Sequence, residues 1–380
     1  MKQKEIFGNR WMSYLESFLS KEDIKRVFLV TGKTSYEISG AKKIFDELFN
    51  NLEVKRFYEF DTNPKFEDVK KGIHAFKSNN HDAIVAVGGG SVIDMAKLIL
   101  FFSMNPQFLK SDFSTIPKDG INPTFKVPFI AVPTTMGSGS EATHFAVVYK
   151  DKKKYSIASQ NLLPDLVVLD PCFVKTLPRY ESACSGIDAF AHALESWWSV
   201  NSTTRSRSFS RKAIHLITRN IIRAVNTNEI KYRSKMLLGA NLAGKAINIA
   251  KTTACHALSY SLTSFFKINH GQAVALFLGP MLSYNWNLSR EECVDKRGIY
   301  FVKRQIHSIL STLKIDTPDE FNKYIFNLLR KLGLKSTLHE LNVPKHKLSL
   351  LVANINIERL SNNPRRLSNL KIKRILLSLF

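Results

Sequence analysis

The stretch Ala83-Ile-Val-Ala-Val87-Gly88-Gly89-Gly90-Ser91 decides the fold class. Its five apolar residues predict a short strand covered on both faces, as in a parallel sheet packed between helices. Three consecutive glycines follow, and a helical pattern then runs from Val92 to Leu100. Glycines at such a turn let the backbone approach a phosphate closely, and the start of the helix offers free N–H groups. The pattern predicts a phosphate cradle, although it is not the G-x-G-x-x-G fingerprint of a standard dinucleotide fold.

Strand and helix patterns alternate on both sides of this stretch. Residues 25–30, 55–60, 127–132 and 166–169 are predicted strands. Residues 66–78 have the apolar spacing of an amphipathic helix. This alternation predicts an α/β fold with a doubly wound parallel sheet.

The character of the sequence changes near Leu177-Pro178. Long helical patterns take over beyond it, with few strand signals, and they cover residues 182–200, 211–225, 232–249 and 319–332. Residues 370–380 form a basic amphipathic pattern, which we expect to pack as a helix on the body of the protein. The sequence therefore predicts a nucleotide-binding domain over residues 1–178 and an all-helical domain over residues 179–380.

The composition restricts the class of protein. The net charge is +23, but the 55 lysines and arginines are spread along the chain without a nucleic-acid-binding motif. We therefore expect no nucleic-acid partner, although an anionic substrate or cofactor would profit from this field. No apolar run reaches the roughly 20 residues of a membrane span, and no signal peptide is predicted. The four cysteines lack paired spacing, which favours reduced thiols and a cytoplasmic protein.

A second polar loop follows the predicted strand 127–132. It reads Pro133-Thr-Thr-Met-Gly-Ser-Gly-Ser-Glu141 and offers hydroxyls and backbone N–H groups to phosphate or ribose oxygens. Beside the glycine loop, it is a candidate for the other wall of a nucleotide cleft. Residues 151–154 are predicted to form a charged hairpin tip.

Four side chains in the helical half have the chemistry of a metal site. Asp188 and His192 lie four residues apart, so that on a helix they share one face. His256 and His270 lie fourteen apart, with a predicted loop between them. An Asp-x-x-x-His pair alone is more often a pair on a helix surface, but two further histidines favour a metal. Three imidazoles and one carboxylate suit Fe²⁺ or Zn²⁺ and not Ca²⁺ or Mg²⁺.

These motifs, in this order, resemble those of the iron-containing (group III) alcohol dehydrogenases. The resemblance implies a Rossmann-like nucleotide domain, an all-helical domain, a metal in the cleft between them, and a homodimer. It implies that Asp188, His192, His256 and His270 are the metal ligands. It also assigns the binding of NADH or NADPH to the two loops and a hairpin lysine, namely Gly88, Gly89, Gly90, Ser91, Asp94, Thr134, Thr135, Ser138 and Lys154.

The sequence departs from this family at three positions. Tyr260 replaces a second histidine four residues after His256, which makes it a candidate proton relay. Gly32 stands where NAD-preferring relatives carry an acidic residue after the first strand, so that NADPH should be tolerated. Lys251, followed by two threonines, stands where relatives have glycine-rich sequence, and it would suit an anionic substrate.

The resemblance extends to the phosphonoacetaldehyde reductase branch of the family through the sequence near Tyr260. It implies a metal-dependent oxidoreductase that reduces phosphonoacetaldehyde to 2-hydroxyethylphosphonate. A dehydrogenase of another small alcohol stays open, as does a sugar-phosphate lyase or cyclase resembling dehydroquinate synthase. A nonenzymatic nucleic-acid-binding protein is a third class, and the four candidate ligands argue against it.

Overall fold

The computed structural model describes residues 3–117, 125–151, 153–353, 355 and 357–380, with only the backbone of residues 357 and 358. The chain divides into two compact units, Met1–Leu177 and Pro178–Phe380. The first unit contains the sheet, and the second is helical. The predicted fold class is therefore confirmed.

The strands of the first unit form a parallel sheet and a separate hairpin. The sheet has the order β1-β8-β5-β4-β2-β3, and every pairing in it is parallel. Strands β6 and β7 form the antiparallel hairpin. In chain order the strands are β1 (Lys4–Phe7), β2 (Arg26–Thr31), β3 (Glu53–Phe57), β4 (Ala83–Gly88), β5 (Phe129–Pro133), β6 (Phe145–Lys150), β7 (Lys153–Ala158) and β8 (Leu166–Leu169).

Helices cover both faces of this sheet, which explains why its central strands are apolar throughout. Along β2, Phe28 and Val30 join one hydrophobic core, while Val27 and Leu29 join another. The first core includes side chains of α4 and α5, and the second includes side chains of α1 and α3. The helices of this unit are α1 (Trp11–Lys21), α2 (Ser35–Ile38), α3 (Ala41–Leu48), α4 (Phe66–Lys77) and α5 (Gly90–Met104).

The register of the sheet places the polar loops side by side. Thr31 on β2 is opposite Val87 on β4, and Gly88 is opposite Pro133 on β5. In a parallel sheet the carboxyl ends of neighbouring strands lie at one edge, where ligands of such folds bind. The loops that follow β2, β4 and β5 therefore meet at this edge.

The predicted elements of this unit differ from the observed ones mainly at their ends. Strand β3 begins two residues before the predicted strand 55–60 and ends three residues earlier, at Phe57. Strand β1 was not predicted, because Lys4-Glu5 gives it a polar start. It is added to the sheet by long-range pairing with β8. Of the predicted tip 151–154, Asp151 follows β6, Lys153 and Lys154 belong to β7, and residue 152 lies outside the described part.

The second unit consists of helices among its described residues, and α6, α7 and α8 pack on one another. The four long predicted helices and the C-terminal one are present. The helices are α6 (Arg179–Trp198), α7 (Thr204–Asn226), α8 (Ile230–Ala250), α9 (Ala254–Phe266), α10 (His270–Trp286), α11 (Ile299–Leu313), α12 (Pro318–Lys331), α13 (Leu348–Ala353), α14 (Ile357–Leu360) and α15 (Asn369–Leu377).

Two further sequence expectations can be compared with the described residues. Among them, no helix has the length and apolar character that crossing a bilayer requires. The four cysteines, Cys172, Cys184, Cys255 and Cys293, are free thiols. The prediction that they are unpaired is confirmed.

Candidate metal centre and nucleotide site

One face of α6 carries three buried ionisable side chains. Asp188, His192 and Glu195 follow one another at spacings of four and three residues, so that they lie above one another on the helix. Their exposed fractions are 8%, 6% and 0%. Such groups are rarely buried without partners. The partners of these side chains must therefore come from other parts of the second unit.

Helices α9 and α10 provide these partners. His256 lies in the first turn of α9, and His270 is the first residue of α10. The side chain of Asn269 caps α10 by accepting a hydrogen bond from the N–H of Gly271 at 3.2 Å. A Cβ atom on Gly271 would lie 1.9 Å from the carbonyl oxygen of Cys184 on α6. Glycine thus allows α10 to approach α6 closely enough to bring His270 beside Asp188.

The structure brings three of the four predicted ligands into one group. Ligand atoms of Asp188, His256 and His270 all lie within 4.8 Å of one another. His192 is not part of that group, but its Nε2 is 3.9 Å from Asp188 Oδ1 and its ring stacks on that of His256, with centroids 4.7 Å apart. Burial opposes ionisation of Asp188, yet the surrounding imidazoles hold its pKa far below its usual range. The carboxylate is therefore charged.

The donor atoms in this group fit a divalent ion. Asp188 Oδ1 and His256 Nε2 are 3.5 Å apart, and both are buried without a hydrogen-bond partner. Buried polar atoms without partners are uncommon and require an explanation. Two ligands about 2.1 Å from a tetrahedral ion would be roughly 3.4 Å apart. The separation of these two atoms matches that value.

Glu195 is a functional candidate that the sequence analysis did not identify. Its Oε1 accepts hydrogen bonds from Thr253 Oγ1 at 2.7 Å and from the N–H groups of Thr253, Cys255 and His256 at 3.2, 2.8 and 3.4 Å. Its Oε2 contacts Nδ1 of His256. Burial favours the neutral acid, but His256 and these donors hold the pKa of Glu195 below its usual value. Its spacing from His192 on α6 was the available signal.

Tyr260 lies beside the histidines, as a candidate relay should. Its ring stacks on that of His270, with centroids 5.8 Å apart and an interplanar angle of 19°. It is 8% exposed, and the positive charge of the buried Arg359 side chain acts on its hydroxyl and partly opposes the effect of burial on its pKa. Burial raises the pKa of Tyr260, so the phenol is neutral at ordinary pH. Arg359 was not predicted, because it is 99 residues further along the chain.

Lys251 lies in the short connection between α8 and α9, and not on α9. Its backbone has φ 63° and ψ 170°, a conformation that glycine adopts readily and lysine does not. Thr253, two residues further along, was expected to contact a substrate anion together with Lys251. Its hydroxyl is instead buried, where it donates to Glu195 and accepts a 2.9 Å hydrogen bond from Trp198. The candidate anion contact is therefore restricted to Lys251 and Thr252.

In the first unit, the two predicted nucleotide loops are in contact. A Cβ atom on Gly89 would lie 3.0 Å from the Thr135 side chain, and one on Gly90 would lie 2.7 Å from that of Ser138. The Thr134 N–H donates to the carbonyl of Gly88 at 3.0 Å. The glycines thus permit the close approach of the loops. Ser91, at the start of α5, accepts a 3.2 Å hydrogen bond from the N–H of residue 63.

Asp94 lies beneath these loops and is used within the protein. It accepts hydrogen bonds from Ser140 Oγ at 2.5 Å and from the Val147 N–H at 3.0 Å. Burial raises its pKa, and the nearby charges of Lys97 and Lys154 oppose that rise. The geometry places Asp94 as a support of the second loop, while its predicted contact with the cofactor stays a prediction.

Lys97 supports the same loop from within α5. Its ammonium group is fully buried and donates to the carbonyls of Ser140, Thr143 and Phe145 at 2.6, 2.7 and 3.1 Å. Burial lowers the pKa of Lys97 to about 8. This lysine lies within the predicted helical pattern, but its role depends on a loop more than 40 residues away.

Gly32 directly follows β2, and an arginine that was not predicted lies beside it. Arg56 on β3 donates to Thr31 Oγ1 at 2.8 Å and to the carbonyls of Gly32 and Lys33, both at 3.2 Å. In nucleotide-binding folds this edge receives the adenosine ribose, and an arginine there accommodates a 2′-phosphate. Residue 32 itself therefore provides no carboxylate, and the Arg56 guanidinium beside it lies 3.9 Å from the carboxylate of Glu37.

The site and fold agree with the comparisons with known families. The family model "Iron-containing alcohol dehydrogenase" matches residues 3–171. The model "Fe-containing alcohol dehydrogenase family, C-terminal" matches residues 182–380. The chain belongs to the iron-containing alcohol dehydrogenase family.

The sequence identity between this chain and individual relatives is low. Aldehyde-alcohol dehydrogenase 2 of Entamoeba histolytica is 29% identical over 314 residues, which are 79% of this chain and 36% of that protein. NADPH-dependent butanol dehydrogenase of Clostridium saccharobutylicum is 28% identical over 92% of this chain and 90% of that protein. The chain spans only 36–40% of the aldehyde-alcohol dehydrogenases that it matches.

A solved structure shows the same fold. Sulfoacetaldehyde reductase from Bifidobacterium kashiwanohense, in complex with NAD⁺, superimposes with a TM-score of 0.84. The match covers 99% of this chain and 96% of that chain, at 24% identity. At this identity the likeness shows the fold alone.

Proposed function

We propose that the protein is a metal- and nicotinamide-dependent oxidoreductase that interconverts an aldehyde and a primary alcohol. One observation carries this proposal: the group of buried Asp188, buried His256 and half-buried His270, in which a carboxylate oxygen and an imidazole nitrogen face each other without a hydrogen bond. Membership of the iron-containing alcohol dehydrogenase family supports the same reaction class.

Asp188, His192, His256 and His270 would hold the ion. Both Fe²⁺ and Zn²⁺ accept this ligand set, and the family name favours iron. A divalent ion bound there supplies Lewis-acid polarisation of the substrate oxygen.

Tyr260 is our candidate for moving a proton to and from the substrate oxygen. Its phenol is neutral, its ring stacks on that of His270, and the Arg359 side chain is close enough to influence its pKa. General acid catalysis requires a proton held within hydrogen-bond reach of the reacting group. A tyrosine one helical turn after His256 would take this role in place of the histidine that it replaces.

The cofactor would bind in the first unit, at the carboxyl ends of the strands. The close contact of the loops at Gly89 and Gly90 supports a pyrophosphate site at the start of α5. Thr134, Thr135 and Ser138 would line it, with Lys154 near the ribose. NADH or NADPH supplies the hydride, and the Arg56 guanidinium beside Gly32 supports acceptance of NADPH.

We propose phosphonoacetaldehyde as the substrate, with 2-hydroxyethylphosphonate as its product. The support is a lysine retained at a backbone conformation that favours glycine, in the connection leading to the His256 helix. A residue that keeps such strain is a candidate for function. The Lys251 ammonium would pair with the phosphonate, and the high net positive charge would attract it.

An aldehyde panel tests this proposal. Purified protein loaded with Fe²⁺ or Zn²⁺ is given phosphonoacetaldehyde, sulfoacetaldehyde or butanal, with NADH or NADPH, and nicotinamide absorbance is followed. We expect net oxidation of the cofactor and the highest kcat/KM for phosphonoacetaldehyde. A preference for butanal would indicate a dehydrogenase of another small alcohol. No net cofactor turnover would refute a reductase and favour a lyase or cyclase that recycles its nicotinamide.

We further propose a homodimer and a cytoplasmic location, both implied by the family resemblance. Four free cysteines are compatible with a reducing compartment. Light scattering on the purified chain tests the dimer, and a mass of one chain would refute it.

A further inference from the structure

The two oxygens of the Glu195 carboxylate have different partners. Oε1 accepts the hydroxyl of Thr253 and three backbone N–H groups at the start of α9. Oε2 contacts only Nδ1 of His256 among its described partners. The side chain is fully buried, so water does not compete for either oxygen. One carboxylate therefore joins the end of a helix to a candidate metal ligand.

The contact at Oε1 replaces a missing cap. The first N–H groups of a helix have no partner within it, and a side chain at the N-cap position ordinarily accepts one of them. Thr253 occupies that position in α9, but its side chain makes no capping hydrogen bond. Glu195 provides the acceptor from α6 instead, and its negative charge also suits the positive end of the helix dipole.

The contact at Oε2 selects the form of the imidazole. An ionised carboxylate only accepts hydrogen bonds, so Nδ1 of His256 must carry the hydrogen. In the neutral ring Nε2 then keeps its lone pair, and it faces Asp188 Oδ1 at 3.5 Å. A histidine that binds a metal through one nitrogen generally donates the other N–H to a carboxylate, which fixes its tautomer and orientation.

We propose that Glu195 is the positioning residue of the metal centre, which holds His256 with Nε2 available to the ion while anchoring the start of α9. This inference rests on the proposed metal site. It predicts that metal affinity depends on a side chain that does not touch the metal. It also predicts that the contribution of Oε2 can be separated from that of Oε1.

The variant Glu195→Gln makes this separation. Its amide oxygen can keep the acceptor place of Oε1, because turning the amide over would point N–H groups at three backbone N–H groups. Its NH₂ then lies against Nδ1 and donates to it. His256 is thereby driven to the tautomer with hydrogen on Nε2, which cannot bind a metal. The matched control, Thr253→Val, removes a hydrogen bond to Oε1 and leaves Oε2 in place.

The measurements are the dissociation constants for Zn²⁺ and Fe²⁺, by competition with a chromophoric chelator, and the unfolding temperature of the metal-free proteins. We expect Glu195→Gln to weaken metal binding about 10- to 100-fold, the usual effect of losing such a partner. Thr253→Val should lower the unfolding temperature of the metal-free protein while changing metal affinity by less than about threefold. Glu195→Asp keeps an acceptor and should restore part of the affinity.

Two results would overturn the inference. Wild-type metal affinity in Glu195→Gln would show that the carboxylate does not set the imidazole. An equal loss of affinity in Thr253→Val would show that Glu195 acts only by stabilising α9. Failure of the wild-type protein to bind either metal would instead refute the proposed metal site itself, so the two failures are distinguishable.

Discussion

Replacing Lys251 by glycine should make the protein more stable and, at the same time, less selective for a charged over an uncharged aldehyde. A non-glycine residue at φ 63° and ψ 170° costs roughly 1–3 kcal/mol. Glycine relieves that strain but loses about 0.5–1 kcal/mol through the greater entropy of the unfolded chain. We therefore expect a net stabilisation of about 1 kcal/mol, which in a unit of this size raises the unfolding temperature by about 2–4 °C.

The same substitution removes the charge proposed to bind the phosphonate. A charge-assisted hydrogen bond to a partly buried anion contributes roughly 1.5–3 kcal/mol. Since about 1.4 kcal/mol corresponds to a factor of ten in rate, kcat/KM for phosphonoacetaldehyde should fall on the order of 10- to 100-fold. The value for butanal should stay unchanged. Lys251→Ala should show the same kinetic loss without the gain in stability, because alanine keeps the strain.

The assay compares Lys251→Gly, Lys251→Ala and a control on the preceding helix α8, Lys235→Ala, whose side chain is exposed. Each is measured by thermal unfolding, metal content and kcat/KM on the charged and the uncharged aldehyde. Metal content should equal that of the wild type in all three. The reasoning about strain fails if Lys251→Gly unfolds at a lower temperature than Lys251→Ala. The reasoning about charge fails if both aldehydes lose equally.

The remaining predictions concern the metal and the cofactor. His256→Ala or His270→Ala should abolish bound metal and activity without unfolding the chain, and elemental analysis showing a full complement of metal would contradict this. Gly32→Asp should shift the ratio of kcat/KM for the two cofactors toward NADH by roughly tenfold, because its carboxylate repels the 2′-phosphate. A Cβ atom on residue 32 would lie 2.1 Å from Ser35 Oγ. The substitution is therefore made together with Ser35→Ala and compared with Ser35→Ala alone. Metal affinity should fall in acid, because protons compete for the ligand nitrogens. Burial would lower the pKa of His256, but Glu195 and Asp188 raise it above its usual value, so metal titrations at decreasing pH should show the loss beginning above the pKa of an ordinary histidine.

The parts of the protein that were predicted are those with a local signal. The apolar strand before Gly88 requires helices on both faces, and its alternation with helical segments defines the sheet. The four-residue spacing of Asp188 and His192 is enough to predict that they share one face of a helix. The position of His270 beside Asp188 has no such local signal, because it depends on the close approach of α10 to α6 at Gly271. The family pattern supplied that pairing, and spacing did not.

The residues that were missed act across long separations in the chain. Glu195 lies 61 residues from His256, and Arg56 lies 24 residues from Gly32. A buried glutamate on a helix and an arginine on a strand at the edge of a sheet have no distinctive local pattern. The backbone of Lys251 could not be read from its neighbours either, since only the packed structure imposes a positive φ on a lysine.

The strain at Lys251 and the anchoring by Glu195 belong to one piece of structure. The connection between α8 and α9 is fixed on both sides of Lys251: Ser199 Oγ donates to the Ala250 carbonyl at 2.6 Å, and Glu195 accepts the N–H of Thr253. Strained backbone persists only where its surroundings over-determine it, and these hydrogen bonds provide that determination. The carboxylate that orients His256 therefore also holds the segment that carries the candidate substrate lysine. Metal affinity and anion selectivity should therefore fall together when both oxygens of Glu195 are removed, whereas Glu195→Gln, which keeps the acceptor of Oε1, should lower metal affinity alone.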